Sequence, residues 1–182
     1  YDAVLAFCET IVYQYSYEGH IPLPEGNAHP LLCPYGLFPA KDGSVAIGCP
    51  GDRFWVVLAR AMDREDMIKD ERYRSNWARA QHADEVIKAV SDWSEKHTKK
   101  QLIDILGGEI PFGPVHDAAD IFKDPHVIAR DMLTEVEHPR AGQKLAIAGT
   151  PIKMTATPGG IRRRAPLLCE DTDSILMNAG YN

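Results

Sequence analysis

The sequence predicts an α+β fold. Three observations carry that reading: short strand-like runs come in neighbouring pairs, amphipathic helical segments separate those pairs, and the strict strand–helix alternation of a doubly wound sheet is missing. The 182 residues are 45% hydrophobic and 25% charged, a globular balance that excludes wholesale disorder and allows a sizeable core. Lys and Arg total 20 against 26 Asp and Glu, for a net charge of −6. An acidic chain is not expected to have nucleic acid or an anionic membrane as its main partner. No apolar run approaches the roughly 20 residues that span a bilayer.

The chain enters a helical stripe at once. Val4, Leu5, Cys8, Ile11, Val12 and Tyr15 recur at helical spacing and share one face. Asp2 is the one candidate N-cap, and Gly19 is placed to end the helix. An apolar face this close to Tyr1 leads to the expectation of a longer parent chain. His20 to Pro34 follows, with Pro22, Pro24, Pro30, Pro34 and the turn pair Gly26-Asn27. So many prolines exclude a helix or an inner strand, so this stretch reads as a connector.

A hairpin comes next. Tyr35 to Phe38 and Val45 to Gly48 flank Lys41-Asp42-Gly43, and Asp-Gly is a strong reverse-turn signal. Asp52 is then positioned to cap a helix with Phe54, Trp55, Leu58 and Met62 on its buried face; their spacing marks them as core rather than a ring-stacking site. Asp63 to Trp77 is charged and irregular, with one short helix. From Arg79 to Lys96 a helix places Val86, Ile87, Val90 and Trp93 on one side. Thr98 to Gln101 forms a capping box ahead of Leu102, Ile103, Ile105 and Leu106, and Gly107-Gly108 stops that helix.

Ile110 to Val115 is extended. Asp117 starts a short helix, and Asp124-Pro125 caps another with proline at its first position. Leu133 to Glu137 alternates like a half-buried strand. Lys144 to Ala148 and Pro151 to Met154 are two further strand candidates, and Thr172 to Ala179 closes the chain as a helix ended by Gly180.

Self-contained chemistry is sparse. His20, His29, His82, His97, His116, His126 and His138 form no pair with another His or Cys at metal-ligand spacing, so no metal is expected. Nucleophile elbows and phosphate loops of the usual patterns are absent. The Gly48-Cys49-Pro50-Gly51-Asp52 turn leads from a strand into a helix; the Asp52 carboxylate there would repel a phosphate, so it reads as a connection. Arg162-Arg163-Arg164 reads as a solvated loop, with approach to a phosphorylated cofactor as its functional alternative. His126 reads as part of an exposed first turn. Cys8, Cys33, Cys49 and Cys169 form no CxxC, and such scattered cysteines suit a reducing cytoplasm. No catalytic set is visible among these residues.

Several phrases in register resemble the C-terminal half of the family III CoA-transferases (CaiB/BaiF, formyl-CoA transferase-like). Asp2 to Leu5 resembles the family helix that follows its central region. Gly26-Asn27-Ala28-His29-Pro30 and Pro34-Tyr35 resemble its GN-x-HP…PY segment. Phe38, Asp42-Gly43 and Val45 to Ile47 are similar to its hairpin, and Gly51 to Trp55 to the helix start of its transferase branch. Ile110 to Val115, Asp124-Pro125-His126 with Arg130, Pro151 to Met154 with Thr157-Pro158, and Ala165 to Leu168 onward to Gly180-Tyr181 resemble its later motifs. Two positions depart: Cys169 stands where the family usually has glycine, and Asp171 where it usually has histidine. Ala28 to Leu31 also replaces the glycine-rich loop of formyl-CoA transferase, which argues against oxalate or formate specificity.

The resemblance implies a small α+β domain inserted in a Rossmann-like large domain. Residues 1–34 would be large-domain helix and linker, 35–137 the small domain, and 138–182 the return segment. It implies an acyl-CoA and carboxylic acid exchange, coenzyme A as part of the substrate, no metal, and an interlocked homodimer. The family nucleophile is an aspartate, expected upstream of Tyr1, so no catalytic residue is carried onto this chain. Asn27, His29, Tyr35 and Asp52 are the implied substrate-proximal residues, each with a local alternative as turn, cap or tether. A 2-methylacyl-CoA racemase of the related branch and a non-catalytic assembly module are the competing readings. The racemase uses an additional glutamate near the hairpin's end, where this chain has Pro50-Gly51-Asp52.

Overall fold

The computed structural model describes residues 1–24, 26–29, 31–139 and 142–181. Glu25 and Pro30 of the connector lie outside the described residues, as do Arg140, Ala141 and Asn182. The chain divides into two compact units, Tyr1–Val115 and His116–Asn182.

The first unit opens with α1 (Asp2–Phe7) and α2 (Glu9–Glu18), where the spacing predicts a single helix. The break falls at Cys8, which at φ −93° and ψ 25° closes one helix and opens the next. Asp2 does not cap; it lies in the first turn behind Tyr1, which makes no side-chain capping bond. Gly19 ends α2 as expected, in the left-handed region at φ 67°, where glycine meets no steric penalty. No residue of the apolar stripe is buried.

The core is built on a three-stranded antiparallel sheet in the order β1 (Tyr35–Ala40), β2 (Gly43–Gly48), β3 (Phe112–Pro114). Tyr35 pairs with Gly48, Phe38 with Val45, and Ile47 with Phe112. The predicted Asp-Gly turn is present and tied down. Asp42 Oδ1 accepts the Lys99 N–H at 2.7 Å, and the Lys41 N–H donates to the His97 carbonyl at 2.8 Å.

Strand alternation gives this sheet two unlike faces. One buries Phe38, Val45 and Ile47 in a cluster with residues of the helices. Those helices are α3 (Asp52–Ala61), α4 (Glu65–Lys69), α5 (Asn76–Gln81), α6 (Ala83–Ser94) and α7 (Lys99–Leu106). Trp55, Leu58 and Met62 of α3 and its end, Val86 and Val90 of α6, and Leu102 and Leu106 of α7 are all buried. Each such aliphatic side chain contributes about 1.5–3 kcal/mol by leaving water. The helix predicted over 79–96 is interrupted at His82, which separates α5 from α6. The Thr98–Gln101 capping box closes in both directions as predicted. Ile103 and Ile105, expected beside Leu102 and Leu106, point to the exposed side of α7.

The second unit starts with α8 (Ala118–Ile121), capped by Asp117, and α9 (Pro125–Ala129). Asp124 caps α9 by accepting the His126 and Val127 N–H groups at 2.7 and 2.9 Å. β4 (Leu133–His138) and β5 (Gln143–Ala148) form an antiparallel pair, and α10 (Thr172–Asn178) closes the chain. Pro151 to Met154 is not a strand. Pro151 has no N–H to give a ladder, and β5 pairs with β4 alone. No described helix is long and apolar enough to cross a membrane.

Candidate functional site

Three of the four residues singled out in the sequence meet at the free edge of β1. The connector doubles back there, so that Ala28 bridges Gly36 and the His29 N–H donates to the Tyr35 carbonyl at 3.2 Å. Asn27 fixes the register with its side-chain amide. Its Nδ2 donates to the Leu37 carbonyl at 2.7 Å, and its Oδ1 accepts the Leu37 N–H at 3.2 Å. Asn27 thus acts as a substitute for one residue of a neighbouring strand. Gly36 permits the approach, since a Cβ there would lie 2.3 Å from the Asn27 carbonyl oxygen.

His29 has both a turn role and an outward one. Its Nδ1 accepts the N–H groups of Leu31 and Leu32 at 3.0 and 3.1 Å. Its ring meets Tyr35 edge-on, with centroids 5.3 Å apart. The Tyr35 ring in turn lies over Gly48, where an added Cβ would sit 3.0 Å from it. This is the outer face of the sheet, and it is bare. A groove of ≈ 270 Å³ runs along it, lined mainly by Tyr35, Leu37, Ala46, Gly48, Pro111 and Phe112.

Asp52 stands apart from this trio. It is the first residue of α3 rather than its cap; Gly51 takes the cap position, with no side-chain bond. The Asp52 carboxylate instead meets Arg79, whose Nη2 donates to Oδ1 at 2.9 Å. Arg79 is fully buried while the Asp52 side chain is 56% exposed. Its other donors reach the Cys33 carbonyl at 2.7 Å and the Tyr73 carbonyl at 3.0 Å, and its guanidinium lies 5.3 Å from the Trp55 ring centroid. Asn76 completes the bracket by accepting the Cys33 N–H at 3.0 Å. Together they hold the Cys33-Pro34 corner from which β1 departs.

Sequence reasoning missed Arg79 and Asn76. A signal for Arg79 was present: positions 79, 83, 86 and 90 keep helical spacing with the buried Val86 and Val90, so a charged residue stands in an apolar stripe. Burial pushes the Cys33 thiol up to about 11 and the Cys49 thiol up to about 12, with Arg79 pulling weakly against both. Both therefore stay protonated at neutral pH and act as core residues rather than nucleophiles.

The arginine run of the second unit is paired. Arg163 binds Asp171, and Arg164 binds Glu170 at 2.6 Å. The Arg164 guanidinium, helped by the Leu167 N–H, pushes Glu170 down to about 2. Two of the three arginines therefore staple the closing segment together. His126 is exposed in the first turn of α9, as expected.

Comparison with known proteins places the chain in a family. The profile of CoA-transferase family III matches residues 1–172. The succinyl-CoA:mesaconate CoA-transferase of Haloarcula hispanica is 43% identical over 99% of this chain and 45% of its own length. The succinyl-CoA–D-citramalate CoA-transferase of Chloroflexus aurantiacus is 32% identical over 96% of this chain and 44% of its own. A crystal structure of a CaiB/BaiF family protein from Brucella suis superposes with a TM-score of 0.76 at 26% identity, covering 93% of this chain and 43% of that one. The chain thus spans under half the length of each of these relatives. It belongs to CoA-transferase family III, as its motifs led us to expect, and its mixed helix and strand content matches the solved neighbour.

Proposed function

We propose that this member of CoA-transferase family III is the C-terminal portion of an enzyme that moves CoA between dicarboxylic acids, with succinyl-CoA as donor and a mesaconate-like acid as acceptor. The observation that carries the reading is the 43% identity, across nearly the whole chain, to a transferase of that description. The chain's share of its relatives' length, and the lack of a catalytic set among the described residues, support the view that the reactive group lies in an upstream half.

In this reading an upstream aspartate carboxylate attacks the thioester carbonyl of the acyl-CoA. The C–S bond breaks, CoA leaves as thiolate, and the acyl group rests on the enzyme as a mixed anhydride. The thiolate then attacks the aspartyl carbonyl, releasing the donor acid and leaving an aspartyl-CoA thioester. The acceptor carboxylate converts that thioester to a second mixed anhydride with loss of thiolate. Thiolate attack on the acceptor's acyl carbonyl gives the new acyl-CoA and restores the aspartate. One thioester and one carboxylate stand on each side of the net reaction, so the exchange is nearly isoenergetic and requires neither metal nor redox cofactor. Residues 35–137 would form the small domain, with 1–34 and 138–182 belonging to the large one. The working enzyme would be an interlocked homodimer in the cytoplasm. Asn27 and His29 at the end of the linker, and Tyr35 and Asp52 in the small domain, would flank the acyl site.

The test is an acid-exchange assay on the protein translated from the complete reading frame. Succinyl-CoA and mesaconate should yield mesaconyl-CoA and succinate in equal amounts. Exchange of the α-hydrogen of a 2-methylacyl-CoA, without any change of acid partner, would replace the proposal with the racemase reading. Neither reaction would leave the assembly module.

A further inference from the structure

We infer that the bare groove of the β1–β2–β3 sheet is a binding site for the short aliphatic chain of a dicarboxylic acid or its acyl group, with His29 at the rim donating from Nε2 to the remote carboxylate. This rests on the proposed function and names the part of the chain that reads the substrate.

The identity of the donor follows from the turn. Nδ1 of His29 accepts two backbone N–H groups, so that nitrogen cannot carry the proton of the neutral ring. The proton sits on Nε2, and the ring presents one donor whose aim is fixed by those two bonds. Contact with Tyr35 holds the ring beside the groove that Tyr35 walls. The connector cannot swing away freely, because Asn27 is bonded twice to Leu37 and Gly36 admits its backbone at close range.

The walls are of the opposite character. Leu37, Ala46 and Pro111 present carbon, and Gly113, opposite Ala46 in the ladder, adds no side chain to that face. Backbone groups along the strands are engaged in the ladder. A ligand that fits has an apolar stem and one anionic end. That is a short dicarboxylic chain whose second carboxylate is engaged in the chemistry elsewhere. An apolar pocket with a single well-placed polar group is the usual design for orienting such a ligand. Asp52 does not line the groove, and its Oδ1 is held by Arg79.

The test uses the full-length protein and two acceptors, mesaconate and a monocarboxylic acid of matching length. His29→Asn keeps an oxygen that can accept the Leu31 and Leu32 N–H groups but has no donor at the Nε2 position. It should raise KM for mesaconate roughly tenfold and KM for the monocarboxylic acid far less, with kcat moving by less than about twofold. His29→Gln places an amide N–H near the lost donor and should recover most of the mesaconate KM. Ala46→Leu fills the groove and should raise KM for both acids. Equal effects of His29→Asn on the two acids would make His29 a turn residue only and overturn the inference. No effect of Ala46→Leu would mean that another part of the protein covers the groove, with the same consequence. A direct readout separates this inference from the function it rests on. Mesaconate added to the wild-type protein should shift the His29 Nε2 resonance, and the monocarboxylic acid should not. That shift would uphold the site even if the exchange assay were blank; its absence would overturn it.

Discussion

Two groups of helices in this molecule carry the same sequence signal and end in opposite states. In α6, Val86 and Val90 recur at helical spacing and both are 0% exposed. In α1 and α2, Val4 and Ile11 belong to an equally regular stripe, yet they are 67% and 48% exposed. Spacing decides which face of a helix is apolar; burial needs a second surface. α6 finds that surface on the sheet and on its neighbouring helices, whereas the described residues offer none to α1 and α2. The sheet repeats the contrast on a smaller scale, with Phe38 and Val45 covered on one side and Tyr35 and Leu37 open on the other. A complete core and an unpartnered apolar face therefore coexist within one unit.

Paired substitutions break or sharpen this comparison. The largest effect is expected at Leu58, fully buried in α3. Leu58→Ala should lower the unfolding free energy of the 182-residue chain by about 3–4 kcal/mol in urea titrations. Ile11→Ala, on the exposed stripe, should change it by no more than about 0.5 kcal/mol. A similar loss at both sites would show that α2 is packed after all.

Arg79 tests the polar side of the same core. Arg79→Met fills the space but abandons the Cys33 and Tyr73 carbonyls and the Asp52 carboxylate. It should cost about 2–3 kcal/mol, because two acceptors are left unpaired away from water. Asp52→Asn keeps an oxygen facing Arg79 and should cost about 1 kcal/mol, since that side chain is half in solvent. The reverse order would mean that the carboxylate, rather than the carbonyl corner, is the partner that matters.

Smaller effects are expected in the second unit. Cys169 sits at φ 62°, a left-handed conformation in which a Cβ is strained. Cys169→Gly should stabilise the closing segment by about 1 kcal/mol, read as slower hydrogen exchange in α10. The Arg164–Glu170 pair sets the acid behaviour of the same segment. Glu170 is depressed in the folded state, so its contribution is full above its ordinary 4.5 and is lost as pH falls through about 2. The protection of the Leu167 amide relative to its intrinsic exchange rate should therefore fall across that window, and Glu170→Gln should remove this acid dependence.

Much of the fold was legible in the sequence because its signals are local. The Asp42-Gly43 turn, the Thr98–Gln101 box and the Asp124-Pro125 start each depend on residues within a few positions of one another. The failures needed distant information. The third strand at Pro151 to Met154 lacked a partner, and Asp52 falls inside α3 with its carboxylate on Arg79, which lies 27 residues away along the chain. The candidate site divides the same way. Asn27, His29 and Tyr35 were marked by a motif resemblance, and the structure joins them. The groove beside them was invisible, because it consists of what small residues on three strands leave empty.

The first unit holds a buried core, and the proposed function places the reactive aspartate outside these 182 residues. Formation of mesaconyl-CoA from succinyl-CoA and mesaconate, measured side by side for the 182-residue chain and for the protein translated from the whole reading frame, tests it most directly. Transfer by the longer protein and none by the shorter chain is the expected result. Turnover by the 182 residues alone, or by neither protein, would contradict it.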